Sequence, residues 1–265
     1  QELPCIHSGD QFSIFLYKDN EYNCPLILKT LSGSYTDKEA AILSNEYELL
    51  KDLNIPEVRK ALRLIGFEEG FALVMEYCEG LTIESAFIKQ RKNISQILDV
   101  MVSITRAVHH IHINNIIHNC INSDNILIDE KSNLIHIIDF GHAVRTDSET
   151  LKIINTQATG NSPLYMSPEQ TSRLNLRIDN RSDLYSLGIL FYAMLTGKTP
   201  FENENPTELF HCHIAKTPTP LHIAQRGIPI VISEIVMKLL SKAREDRYQS
   251  TYGLIADLEK CLSML

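Results

Sequence analysis

No apolar run in this chain approaches the ~18 residues that a membrane-crossing helix requires, and no secretory leader precedes the first strand-like segment. A protein without a membrane span in this stretch is expected. Basic charge is not clustered either. The 25 Lys and Arg residues are scattered and outnumbered by 33 Asp and Glu, for a net charge of -8, which argues against a nucleic-acid or anionic-membrane binder. Six cysteines, at 5, 24, 78, 120, 212 and 261, show no C-x-x-C spacing, so reduced thiols and a cytoplasmic setting are expected rather than zinc or a disulfide framework. Internal repeats and low-complexity tracts are missing as well. The chain begins at Gln1 without methionine, as expected for a piece of something longer.

What is present is enough apolar content (44%) in 265 residues to bury one large domain or two lobes. Residues 1 to about 77 alternate strand-like runs, Phe12 to Tyr17, Pro25 to Leu31 and Phe71 to Tyr77, with a helical segment from about Lys38 to Leu53. After a connector at about 76–80 the pattern turns helical. Candidate helices are 94–114, 183–196, 206–214, 231–243 and 249–263. The expectation is an α+β fold over 1–265, with a small β-rich lobe to about 77 and a larger helical lobe from about 81. His109, His110 and His112 lie inside the long apolar-periodic helix 94–114, where structural histidines are the default over a metal site.

The residues that carry chemistry are His118-Asn119-Cys120-Ile121-Asn122-Ser123-Asp124-Asn125, followed by Asp139-Phe140-Gly141. An Asn amide oxygen and an Asp carboxylate suit Mg²⁺, which takes hard oxygen ligands. Between them, Ile126 to Asp129 and Leu134 to Ile138 are β-branched runs about a turn-prone Glu130-Lys131-Ser132-Asn133, which predicts a hairpin.

These motifs resemble the catalytic loop H-R-D-x-x-x-x-N and the D-F-G of protein kinases, with cysteine where the catalytic aspartate stands. The likeness covers essentially the whole chain. It implies a two-lobed fold with Lys29, in Leu26-Ile27-Leu28-Lys29, holding ATP phosphates. Glu46 is implied as the helical partner of that lysine, with Glu48 as competitor. Ile27, Met75, Glu76, Cys78 and Leu127 are implied as further nucleotide contacts, with the backbone of 76–78 facing the adenine edge. Asn125 and Asp139 are implied as Mg²⁺ ligands. Ser167-Pro168-Glu169 resembles the close of an activation segment, Arg247 its glutamate's partner, and Asp183 the aspartate that braces the catalytic loop. A narrower likeness, carried by Ser167 to Thr171, Arg181 to Gly188, Ala243 to Ser250 and Ile121-Asn122, is to the kinase module fronting large multidomain sensor histidine kinases.

The departures bear on activity. A thiol at Cys120 is a poor acceptor and mostly neutral at pH 7, and general-base terms are commonly worth ~10²–10⁴ in rate. The stretch His7 to Ser13 keeps only Gly9 of the three glycines that let a loop approach phosphates, and Asp10 adds negative charge. Ile27 replaces a smaller alanine. Asn119 stands where an arginine would bind a phosphorylated activation loop, so phosphate at Ser148, Thr150, Thr156 or Thr159 is not expected to switch the domain on. The reading is a pseudokinase or strongly impaired Ser/Thr kinase that binds ATP weakly with Mg²⁺ and serves a protein partner or adjoining domains. The alternative is an active kinase with a non-standard catalytic loop.

Overall fold

The computed structural model describes residues 3–9, 11–18, 21–22, 24–32, 36–67, 70–90, 92–146, 162–171 and 176–264. Asp10, Ser148, Thr150, Thr156 and Thr159 lie outside them. The chain divides into two compact units, one comprising Gln1–Glu79 with His136–Ala143 and the other Gly80–Ile135 with Val144–Leu265.

The first unit is built on an antiparallel sheet of β1 (Cys5–Ser8), β2 (Phe12–Tyr17), β3 (Leu26–Leu31), β4 (Ala61–Phe67) and β5 (Gly70–Glu76), ordered β1-β2-β3-β5-β4. Interior strand β5 carries the continuous apolar run Ala72-Leu73-Val74-Met75, all buried, as expected of a strand covered on both faces. Helix α1 (Asp37–Leu50) starts where Thr36 forms a capping box with Glu39, whose carboxylate accepts from Thr36 N at 2.6 Å. Its buried positions Leu43, Glu46 and Leu50 follow the helical period. The helix ends at Leu50, short of Leu53, with Lys51 as its cap still donating from its N to Tyr47 O at 2.9 Å.

Residues 136–143 pack with this unit, although they follow the helical-lobe boundary expected from the sequence. Val58 and Ile137 form a parallel bridge, with Ile137 N donating to Glu57 O at 2.7 Å. Asn45 Nδ2 donates to the carbonyls of Gly141 and Ala143, both at 3.0 Å. A Cβ on Gly141 would run into Ile42 Cγ2, so this tight docking on α1 favours glycine.

The second unit is mainly helical. Strand β6 (Leu81–Thr82) pairs with β8 (Ile126–Ile128), and β7 (Ile116–Ile117) with β10 (Val144–Arg145). A turn after β8 is closed by Asp129, whose N donates to Leu134 O at 3.0 Å and whose carboxylate accepts from Lys131 N and Ser132 Oγ; it leads into β9 (Ile135–Ile137). Helices are α2 (Ile94–Ile113), α3 (Asn180–Thr196), α4 (Pro206–Ala215), α5 (Leu221–Ala224), α6 (Ile230–Leu239) and α7 (Thr251–Leu262). Helix α3 is buried from Ser182 to Leu195, which makes it the core of the unit. Gly188 lets α6 approach closely, since a Cβ there would lie 2.8 Å from Leu239 Cβ. Helix α3 begins at Asn180 rather than 183 because Asp179 caps it, accepting from Arg181 N.

His213 on α4 is fully buried, with Nδ1 3.0 Å from Tyr185 Oη, Nε2 3.0 Å from Pro163 O and the Phe201 ring edge-on at 5.3 Å. Burial and then the Lys242 charge push its pKa down to about 4. The unfolded chain therefore takes up this proton first as pH falls. His213 contributes stability above about pH 6.5 that is lost towards pH 4, up to about 3 kcal/mol. Urea unfolding at pH 7 and pH 4.5 should show a steeper loss for the parent than for His213→Gln; equal losses would refute this assignment.

Candidate functional site

Lys29 lies on β3, opposite Ile14 of β2 and Leu73 of β5, and its ammonium enters the interior of the first unit. A buried ammonium is costly unless paired. Here Nζ lies 2.7 Å from Glu46 Oε2 and 2.8 Å from Asp139 Oδ1, with the Phe12 ring centroid at 4.7 Å. Burial alone would lower the Lys29 pKa, but the charges of Asp139 and Glu46 outweigh it and hold the group firmly protonated. Glu46 uses its second oxygen to accept from Phe140 N at 3.1 Å, tying the helix to the segment that presents Asp139. Glu48, the competitor, instead pairs with Lys51 at the surface. Asp139 has φ of 66°, a left-handed conformation that costs a non-glycine residue of order 1–3 kcal/mol and persists because neighbours over-determine it. Its side chain is 35% exposed, unlike the buried Lys29 and Glu46.

In the second unit the segment His118–Asn125 is fixed by Asp183 of α3, itself 1% exposed. Oδ2 accepts from His118 N at 2.9 Å and lies 2.9 Å from His112 Nε2, while Oδ1 accepts from Asn119 N at 2.8 Å. This clamp holds Asn119 at a φ of 62°. His112 thus serves the loop, and His109 meets Thr251 Oγ1 at 2.9 Å. Gln170 Nε2 donates to Asn119 O at 2.8 Å, and Gln170 Oε1 accepts from both Ser167 N and Ser167 Oγ. Glu169 forms a two-pronged pair with Arg247 at 2.7 and 3.0 Å.

Cys120 is 5% exposed at the centre of this loop. Asn125 Nδ2 donates to its carbonyl at 3.0 Å and to its sulfur at 3.3 Å, and Asn122 Nδ2 reaches the same two atoms at 3.2 and 3.7 Å. Asn122 Oδ1 accepts from the backbone N of Asp124 and Asn125, shaping the turn. With its NH₂ committed to Cys120, Asn125 has its carbonyl oxygen as the outward donor. A hard oxygen of this kind is of a donor type that suits Mg²⁺, and so, in the first unit, is the part-exposed Asp139 carboxylate.

The structure brings Lys29, Glu46 and Asp139 together in one unit and places Cys120 and Asn125 in the other. Ile27 and Met75 are buried in the first unit's sheet, Glu76 and Cys78 lie at its final strand end, and Leu127 is buried on β8. Phe12, Asn45 and Gln170 were not among the expected site residues. Gln170 had one signal, its place directly after Ser167-Pro168-Glu169.

The family model described as protein kinase domain matches residues 3–255. The chain is 30% identical over 266 aligned residues to the serine/threonine-protein kinase PrkC of Bacillus subtilis, covering 98% of this chain and 40% of that protein. It is 48% identical over 95 residues to hybrid signal transduction histidine kinase G of Dictyostelium discoideum, covering 36% of this chain and 3% of that protein. The chain therefore spans two fifths or less of the length of these curated relatives. Among solved structures, a double mutant of the PknI kinase domain of Mycobacterium tuberculosis matches with a TM-score of 0.76 at 16% identity, covering 97% of this chain and 93% of that one. The shared fold is α+β, with a β-sheet N-lobe and a helical C-lobe.

Proposed function

The chain belongs to the protein kinase domain family, and we propose that it is a nucleotide-binding kinase domain with strongly impaired phosphotransfer, acting on a protein partner or on adjoining domains through its conformation. The observation that carries this reading is Cys120, the residue at which the family resemblance implies the base, with its sulfur between two amide donors. A thiol is a weaker acceptor and a weaker general base than a carboxylate, so it does little to orient a substrate hydroxyl or to take its proton. Lys29, kept cationic by Glu46 and Asp139, is the group that would meet nucleotide phosphates. Asn125 and Asp139 would hold Mg²⁺, which when bound offsets phosphate charge. Phe12 over the Lys29 ammonium and Ile27 in the sheet support weak rather than tight nucleotide binding. Among the described residues no helix is long and apolar enough to cross a membrane, which is compatible with a cytoplasmic setting. The likeness to a hybrid histidine kinase supports a module of a larger signalling protein.

The alternative, a working Ser/Thr kinase, is favoured by the intact Lys29–Glu46–Asp139 set and by relatives named as Ser/Thr kinases. Both readings require nucleotide binding. At ten times its dissociation constant, ATP with Mg²⁺ should stabilise the domain by about 1.4 kcal/mol, a rise of a few degrees in melting temperature. Asp139→Asn should abolish the rise. No shift with millimolar ATP or ADP, with or without Mg²⁺ or Mn²⁺, would reduce the domain to an interaction module.

A further inference from the structure

Strand register sets an aromatic ring against the buried ammonium of the first unit. Strand β2 pairs with β3 so that Ile14 stands opposite Lys29 and Phe12 opposite Leu31, which makes Phe12 and Lys29 diagonal neighbours on one sheet face, within reach of an aromatic ring and a long side chain. The Phe12 ring centroid lies 4.7 Å from Lys29 Nζ. An ammonium has three N–H donors. Glu46 Oε2 takes one at 2.7 Å and Asp139 Oδ1 another at 2.8 Å, and Nζ has no further hydrogen-bond acceptor among the described residues. What remains faces the ring, whose negative face attracts a cation. With the lysine side chain only 5% exposed, the ring covers the ammonium where an anion would otherwise reach it.

The backbone at Phe12 is fixed on both sides. Phe12 O accepts from Gly9 N at 2.9 Å, and the neighbouring Gln11 O accepts from Ser32 N at 2.9 Å. The hydroxyls of Ser13 and Ser32 meet at 2.9 Å. A group that takes the ring's place on Lys29 therefore has to turn the half-buried Phe12 side chain to another rotamer rather than move the strand.

We propose that Phe12 is an internal cap on Lys29, so that an anionic phosphate reaches the ammonium only by displacing the ring. The inference rests on the reading of Lys29 as the group that meets nucleotide phosphates, and it names what sets the affinity there. Asp139 and Glu46 hold the lysine charged whether the ring is present or not. The cap therefore opposes the phosphate part of a ligand and leaves a neutral nucleoside untouched. A desolvated ring contact that biases the side chain about tenfold leaves Lys29 uncapped roughly one tenth of the time, and the apparent affinity for phosphate falls by that factor.

Calorimetric titration of the parent, Phe12→Leu, Phe12→Ala and Phe12→Tyr with ATP, adenosine and inorganic tripolyphosphate, each with Mg²⁺, tests this. Phe12→Leu and Phe12→Ala are expected to bind ATP and tripolyphosphate about tenfold more tightly than the parent. Phe12→Tyr keeps a ring and should stay within about twofold of the parent, and adenosine should not distinguish the variants. Leucine keeps apolar bulk on the sheet, so it carries the test if alanine loosens the strand. Equal ATP affinity in the parent and Phe12→Leu would overturn the cap and leave Lys29 as the phosphate-binding group. A gain for adenosine as large as that for ATP would also overturn it, because the ring would then be blocking the nucleoside. Tighter tripolyphosphate binding without measurable ATP binding would support the cap and defeat the nucleotide reading. Failure of every variant to bind any of these ligands would sink both.

Discussion

Cys120→Asp is expected to raise phosphotransfer by at least ~10²-fold over the parent, the usual scale of a general-base contribution. The surroundings are already suited to a carboxylate. Asn125 Nδ2 and Asn122 Nδ2 stand 3.3 and 3.7 Å from the sulfur, where they would donate to carboxylate oxygens far better than to a thiol. Asp183 fixes the loop backbone through His118 N and Asn119 N, so the substitution changes chemistry on a held scaffold. Radiolabelled phosphate transfer from ATP with Mg²⁺ to the domain itself and to a generic basic protein gives the comparison. Cys120→Ser, which adds polarity without a base, should stay at the parent rate. Equal turnover by parent and Cys120→Asp would favour the working-kinase alternative, with another group taking the proton. Inactivity of both would move the defect to nucleotide binding.

Which parts of this were legible in the sequence follows from the range of the interactions. Strands β2, β3 and β5 and helix α2 stand out because each repeats its apolar pattern over enough residues. Strand β1 is exposed at every position, and β4 is an edge strand carrying Arg63 and Gly66 with a register shift near its start, so neither shows a clean period. Helix α5 spans four residues, too few for a period. The motif favours Glu46 over Glu48, and the helical spacing of Glu46 to Leu43 and Leu50, which marks the buried face of α1, points the same way. The reach of Asp139 to Lys29, 110 residues apart, has no local signal beyond the motifs themselves.

Arg247→Ala is expected to cost ~3–5 kcal/mol, the range for removing one partner of a buried ion pair. Arg247 is 0% exposed and Glu169 2%. The guanidinium donates to both Glu169 oxygens and to the carbonyls of Ser241, Arg181 and Lys242, and it stacks 4.9 Å from the Tyr185 ring. Truncation would leave a buried carboxylate with Ser182 Oγ, at 2.8 Å, as its one side-chain donor among the described residues, and would strip three carbonyls of a partner. Lysine keeps the charge but cannot reproduce the planar fork, so Arg247→Lys should fall between parent and alanine. The double variant Glu169→Gln/Arg247→Met should lose less than Arg247→Ala, because no unpaired charge is left inside. For a domain of this size the alanine variant should melt on the order of 10 °C lower. Acid should narrow the gap. Burial raises the Glu169 pKa, but the Arg247 pair outweighs it and holds it below the usual carboxylate value, so the pair contributes fully above that value and fades as pH falls through the depressed one. Thermal melts at pH 7 and pH 4 measure both effects. An alanine variant within about 2 °C of the parent at pH 7 would show that the pair contributes geometry and little stability.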